Sequence, residues 1–348
     1  MSARPAARRW LWRSRHVSFR VDARLATVTL GLAGLTVLAA LYALTLGRIA
    51  MPLGEVFATL TGHGEGGMQR EIVLNLRLPR ILVAVFAGAA LGVSGAVFQS
   101  VSRNTLGSPD VIGFTTGAAT GALAQIVLFG GGPLAVSLSA VLGGMLTAGL
   151  VYLLSFKHGA TGGYRLVLMG IGAGATLNAL NGLMLVRGDL DNAVAANLWL
   201  AGSLNARTWE HVLPVTAGCL LLVPAVGLAV ARLGLIEMGD DVARQLGVNV
   251  ERTRFGMVAC AVLLAGLATG SAGPIAFVAL AAPQLAMRLT GARGVPVASA
   301  AAMGAFLLVL ADLLTQLAGV DLVLPIGRVT GLVGGLYLLW LLTRSRRR

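Results

Sequence analysis

The sequence predicts an all-α, polytopic membrane protein of ten transmembrane helices. Three observations carry that expectation. First, 56% of the 348 residues are hydrophobic and mean hydropathy is +0.82, more apolar surface than a soluble chain of this length can cover. Second, apolar runs of membrane-spanning length recur from end to end. Third, the chain holds 47 glycines, which suit close helix–helix approach in lipid.

The predicted spans lie near 25–46, 78–101, 111–131, 134–156, 165–186, 212–231, 255–272, 275–290, 296–318 and 325–343. Arg4, Arg8, Arg9, Arg13, Arg15, Arg20 and Arg24 precede the first. A cleaved signal peptide would also start this way, but its apolar core is shorter and Leu46-Gly47-Arg48 is no cleavage site, so the span is expected to stay. Gly88, Gly92 and Gly95 give the second span one thin face. Asn104, Gly107, Ser108 and Pro109 form a turn before the third, followed by Asp110. The eighth, at about 1.5 Å per residue, barely crosses the hydrocarbon core and is expected to be tilted, broken or sheltered.

All but one of the 27 basic residues are Arg, the exception being Lys157. With the N-terminus inside, the tails and inner loops hold twenty and the outer loops six, with Arg328 in the last span. That asymmetry places both termini in the cytoplasm of a plasma (cell inner) membrane protein. It also accounts for the net charge of +13 without a nucleic-acid partner. The organisation is an Arg-rich tail at 1–24, a ten-span domain at 25–343 and a short tail at 344–348.

The stretch "MGDDVARQLGVNVERTR" (Met238 to Arg254) stands out, with six charges in seventeen residues of a chain that is 12% charged. Met238, Val242 and Leu246 share one helical face. Asp240 and Asp241 favour a helix start, Gly247 a stop, and Asn249 a cap for a second short turn with Glu251 inside it. Two short helices against the membrane surface are expected. On pattern alone they are either a solvated connector or a docking knob.

Arg77 and Arg80 flank Pro79 at the outer mouth of the second span. They either anchor a helix end or await acidic groups of an external partner. Asp312, a lone acid in the ninth span, and Arg328, a lone base in the tenth, lie at similar depth and are expected to pair; the alternative is separate snorkelling. Cys219 and Cys260 fall inside spans, and the four histidines lack ligand spacing. No hydrolase or metalloprotease motif is present. A nucleotide-binding P-loop needs Gly-Lys-Ser/Thr, which Lys157 in "SFKHGATGG" does not supply.

The segments "LRLPRILVAVFAGAALGVSGAVFQSVSRNTLGSPDVIGF", "IEMGDDVARQLGVNVERTR", "AGPIAFVALAAPQLAMR" and "LPIGRVTGLVGGLYLLWLL" resemble the FecCD family of ABC-transporter permeases over residues 25–343. That family imports iron–siderophore complexes, haem and vitamin B12. The resemblance implies a type II ABC importer fold, with two permeases around a central path. ATPases in the cytoplasm hold ATP and Mg, this chain holds no cofactor, and an external binding protein, periplasmic or lipid-anchored, delivers substrate. It implies that Met238, Gly239, Asp240, Asp241, Val242, Ala243, Arg244, Gln245, Leu246 and Gly247 form the ATPase-coupling segment. It implies that Arg77 and Arg80 face the binding protein, and that Asn104, Thr105, Leu106, Gly162, Gly163 and Tyr164 close the inner end of the path. Its ferric enterobactin branch implies a catecholate Fe(III)-siderophore.

Three positions depart from the family pattern. Gln284 replaces the usual His after Pro283, Gln316 replaces a frequent Arg, and Arg328 stands where Val or Ile is usual. The missing outer arginine suits one half of a heterodimer. A proton-coupled secondary transporter relaying through Asp312 is the rival reading, and a membrane-embedded enzyme a more distant one.

Overall fold

The computed structural model describes residues 9–13, 18–47, 49–64, 67–157, 160–161, 163–292, 294–318 and 324–345. The chain is helical almost throughout. Among the described residues two small antiparallel ribbons are the exceptions: β1 (Arg9–Arg13) with β2 (Ser18–Asp22), inside the Arg-rich tail, and β3 (Phe156–Lys157) with β4 (Ala160–Thr161).

α1 (Ala23–Thr45) starts where the Asp22 carboxylate accepts the Arg24 N–H at 3.0 Å. α2 (Leu53–Leu60) is a short helix in the following loop. α3 (Met68–Glu71), a π-helical stretch (Ile72–Arg77) and α4 (Leu78–Ser102) then form one continuous rod. Proline has no N–H, and its ring crowds the carbonyl four residues back. The wider π turns directly before Pro79 accommodate it without breaking the rod.

A 3₁₀ turn (Pro109–Ile112) leads into α5 (Phe114–Ala124), which ends in π turns (Gln125–Phe129). α6 (Pro133–Ser155), α7 (Gly163–Arg187), α8 (Leu190–Leu200) and α9 (Trp209–Glu237) follow. Asp189 caps α8 through the Asn192 N–H at 2.8 Å. A reciprocal box of Thr208 and His211 caps α9. The chain closes with α10 (Asp240–Gln245), α11 (Val250–Ala272), α12 (Val278–Thr290), α13 (Val297–Leu317) and α14 (Ile326–Ser345).

Among the described residues, seven helices are long and apolar enough to cross a membrane: Ala23–Thr45, Met68–Ser102, Pro133–Ser155, Tyr164–Arg187, Trp209–Glu237, Val250–Ala272 and Val297–Leu317. Each matches a predicted span. The other three predicted spans are helical too, in the shorter Phe114–Phe129 and in α12 and α14. The predicted 275–290 span begins only at Val278, because Gly273 and Phe277 adopt positive φ and break the helix between α11 and α12. The expected second short helix after Gly247 does not exist. Asn249 caps α11 through the Arg252 N–H at 3.1 Å, and the helix runs on unbroken into the span.

α4 is the buried axis, packed against α9, α11, α12 and α13. Its glycine face makes that possible. A Cβ at Gly88 would lie 2.4 Å from the Gly304 carbonyl oxygen, one at Gly92 2.1 Å from that of Ala300, and one at Gly95 1.6 Å from that of Ala279. All three fall far below carbon–oxygen contact distance, so only glycine permits the approach. Polar side chains fasten neighbours to the same rod: Ser94 donates to the Ala261 carbonyl at 2.7 Å and Gln99 to that of Leu280 at 2.9 Å.

Gly95→Val is therefore expected to abolish monodisperse protein in detergent. Gly31→Ala, on the open face of α1 where nothing lies within 4 Å, should leave the melting temperature unchanged or raised. Size exclusion with thermal unfolding decides; a Gly95→Val protein of native stability would refute the close contact.

Candidate functional site

Three linked features lie along α4. The first is at its Arg80 end. α4 and α13 run antiparallel, with Gly92 against Ala300 and Gly88 against Gly304. Steps of four residues keep to one helical face. Continuing them through Ala84 on one helix and Leu308 on the other brings Arg80 against Asp312. Arg80 Nε and Nη2 donate to Asp312 Oδ1 at 3.0 and 2.7 Å. Gln316 Nε2 donates to Oδ2 at 2.8 Å, and Arg80 Nη1 reaches Asn205 Oδ1 at 2.7 Å. Asp312 is 2% exposed, and an acid so deep needs this pairing.

The expected Asp312–Arg328 pair is thereby corrected. The register of α4 on α13 delivers Arg80 to the acid, whereas Arg328 is exposed in the first turn of α14. Arg77 is also turned inward, donating to the carbonyls of Leu44, at 2.7 Å, and Ile49.

The second feature is a cavity of about 630 Å³ and the turn below it. Leu106, Asp110, Thr115, Phe277 and Arg328 are among its walls. Asn104 Oδ1 accepts the Leu106 N–H at 2.9 Å, and the Asn104 carbonyl accepts from Gly107 N at 2.9 Å, so the turn is internally locked. Gln284 of α12 donates to the Thr105 carbonyl. Of the second predicted gate turn, Gly162 lies outside the described residues. Gly163 opens α7 and Tyr164 is largely exposed.

The third feature is the charged island. α10 begins at Gly239, whose φ of 130° only glycine adopts readily. Ala243 is buried against Ile236 and Val250, which turns Met238, Val242 and Leu246 outward to solvent. Asp240 is the knot. Arg254 Nη2 donates to both its oxygens at 3.0 Å, and Arg103, at the left-handed end of α4, reaches Oδ1. Arg103 also donates to the Ile236 carbonyl at 2.7 Å, and Arg254 Nη1 to Glu251 at 2.8 Å. One carboxylate thus fastens α10 to α4 and α11. Burial pushes Asp240 upward, but Arg254 and Arg103 outweigh it and hold the carboxyl below its ordinary range. Arg254 lies 14 residues from Asp240 and Arg103 lies 137 away, so only the fold brings the three together. Among the described residues, no cluster of His, Cys, Asp or Glu could hold a metal ion.

A membrane bundle with a cavity beside a locked turn, and with a surface helix wired to its central rod, defines a transport permease. The chain belongs to the FecCD transport family, which it matches over residues 35–344. It is 45% identical over 328 residues to the ferric enterobactin transport system permease protein FepG of Escherichia coli K12, covering 94% of this chain and 99% of the relative. It is 36% identical to the Fe(3+) dicitrate transport system permease protein FecD of the same strain, covering 92% and 98%. Among solved structures, a chain described as a metal-chelate type ABC transporter in an inward-facing conformation superposes with a TM-score of 0.81 at 28% identity, covering 92% of this chain and 99% of that one.

Two predictions follow from the ion pairs. Asp312→Asn should destabilise the protein by about 3 kcal/mol, and Arg80→Gln should recover part of the loss while Arg328→Gln recovers none; a thermal-shift double-mutant cycle that couples Asp312 to Arg328 instead would refute the assignment. A depressed carboxylate stabilises the fold above its unfolded pKa and loses that contribution as pH falls through its folded value. Asp240→Asn should thus be less stable at neutral pH, and should lose less stability than the wild type when the pH drops below 3.8, the ordinary Asp value. Parallel pH profiles for the two proteins would remove the knot from Asp240.

Proposed function

We propose that this chain is the permease subunit of an ATP-driven, binding-protein-dependent importer of Fe(III)-siderophores, with a catecholate complex as cargo. The observation that carries the reading is the 45% identity to the ferric enterobactin permease across nearly the whole of both chains. In this reading the chain crosses the plasma membrane ten times with both termini in the cytoplasm. A second, different permease completes the path. ATP binds elsewhere, on cytoplasmic subunits, because this sequence offers no P-loop lysine.

ATPase closure pushes the Met238–Gly247 segment, which presents an apolar stripe to its partner. Asp240 passes the push to α4 through Arg103 and to α11 through Arg254. α4 ends at the Asn104–Leu106 turn, so the force arrives where the inner end of the path must open. At the other end the binding protein meets a mouth that Arg77 and Arg80 shape, each holding neighbouring groups while keeping part of its surface exposed. The chain performs no covalent chemistry; it converts a partner's motion into access.

A haem importer is the second reading, favoured by 35% identity to the hemin transport system permease protein HmuU of Yersinia pestis. The proton-coupled reading loses its support, because Asp312 is engaged by Arg80 and Gln316.

The test is a pull-down from gentle detergent of wild type beside a variant carrying Val242→Glu and Leu246→Glu. An ATPase and a second permease are expected with the wild type, and the variant should lose the ATPase while keeping the permease. Recovery of wild type alone would overturn the importer reading.

A further inference from the structure

Arg328 is a basic residue of the cavity wall that stands apart from the arginines described above. Arg77, Arg80, Arg103 and Arg254 are all committed to carbonyls or carboxylates. Arg328 lines the cavity of about 630 Å³, is exposed there, and makes no side-chain hydrogen bond among the described residues. Its backbone is nonetheless fixed. At the preceding residue, Gly327, a Cβ would lie 2.6 Å from the carbonyl oxygens of both Ala201 and Pro274, so the chain is wedged between them and the backbone of Arg328 is held at the cavity wall.

The opposite charge in the same cavity is Asp110. It is satisfied within its own turn, accepting from the hydroxyls of Thr115 and Ser108. Among the described residues no ion pair joins Asp110 to Arg328. Leu106, from the locked turn below, also borders this space, so the cavity leads down to that turn.

The geometry points to Arg328 as a charge-selecting residue of the transport path, one that attracts strongly anionic ferric chelates during passage. This rests on the importer reading and adds to it the electrical class of the cargo. A catecholate binds Fe(III) as a dianion, so a tris-catecholate complex is anionic; a hydroxamate binds as a monoanion, so a tris-hydroxamate complex is neutral. A guanidinium in a cavity partly shielded from water favours the former. A single cation opposed by Asp110 attracts without trapping, as passage requires that cargo enter and leave.

The experiment uses the complete transporter in proteoliposomes, with ferric enterobactin, a tris-catecholate, delivered by saturating binding protein. Uptake is compared for wild type, Arg328→Lys, Arg328→Gln and Arg328→Glu. Loss of the charge should lower the maximal rate about tenfold, reversal should lower it further, and Lys should stay near wild type. Co-purification of the second permease and the ATPase checks assembly of each variant. Equal rates for Gln and wild type, or Lys as impaired as Gln, would overturn the charge role while leaving the importer reading intact. Loss of the second permease from the Gln variant would instead make Arg328 an interface residue and end the proposal. A wild-type complex that assembles but imports no ferric siderophore would bring down both readings.

Discussion

The structure depends on how closely α4 can approach its neighbours. In lipid no hydrophobic effect drives helices together, so contact must come from backbone packing and polar links. Three glycines on one face let α4 lie with its backbone against those of α12 and α13. Everything described at the site is placed by that contact. The register sets Arg80 opposite Asp312, and the turn after Arg103 meets Gln284.

Arginine clamps hold α4 near both of its ends, and the two differ in kind. Arg80 and Asp312 form a deep pair with Gln316 and Asn205 filling the remaining bonds, an arrangement that fixes register. Asp240 sits nearer the surface and gathers Arg103 and Arg254 from two helices, an arrangement that ties α10 to both. The stretch of α4 between them, after Pro79, contains no proline. In the proposed cycle it moves as a body, carrying a shift at Asp240 along its length.

The spans were legible because hydropathy needs no tertiary information. The seven long helices and the three shorter ones all fall where apolar runs predicted them. The short helices α2 and α8 escaped notice, since each is too brief for a spanning pattern. The apolar face of Met238, Val242 and Leu246 was readable from spacing, but Asp240's partners were not, because they come from other helices. The partner of Asp312 was within reach. The thin face of Gly92 and Gly88 continues through two steps of four residues to Arg80. Equal depth suggested Arg328, whereas helix register decides contact.

The ladder on α4 and α13 also says what kind of change this protein can survive in evolution. Each residue added to a helix rotates all that follows by about 100°. One inserted or deleted residue between Arg80 and Gly95 would turn the glycine face away from α13 and carry the arginine off its acid in a single event. A substitution disturbs one rung; a change of length disturbs them all. Descendants of this sequence should thus vary freely in letters along the lipid-facing sides of the rod, and in length only in the loops beyond its ends.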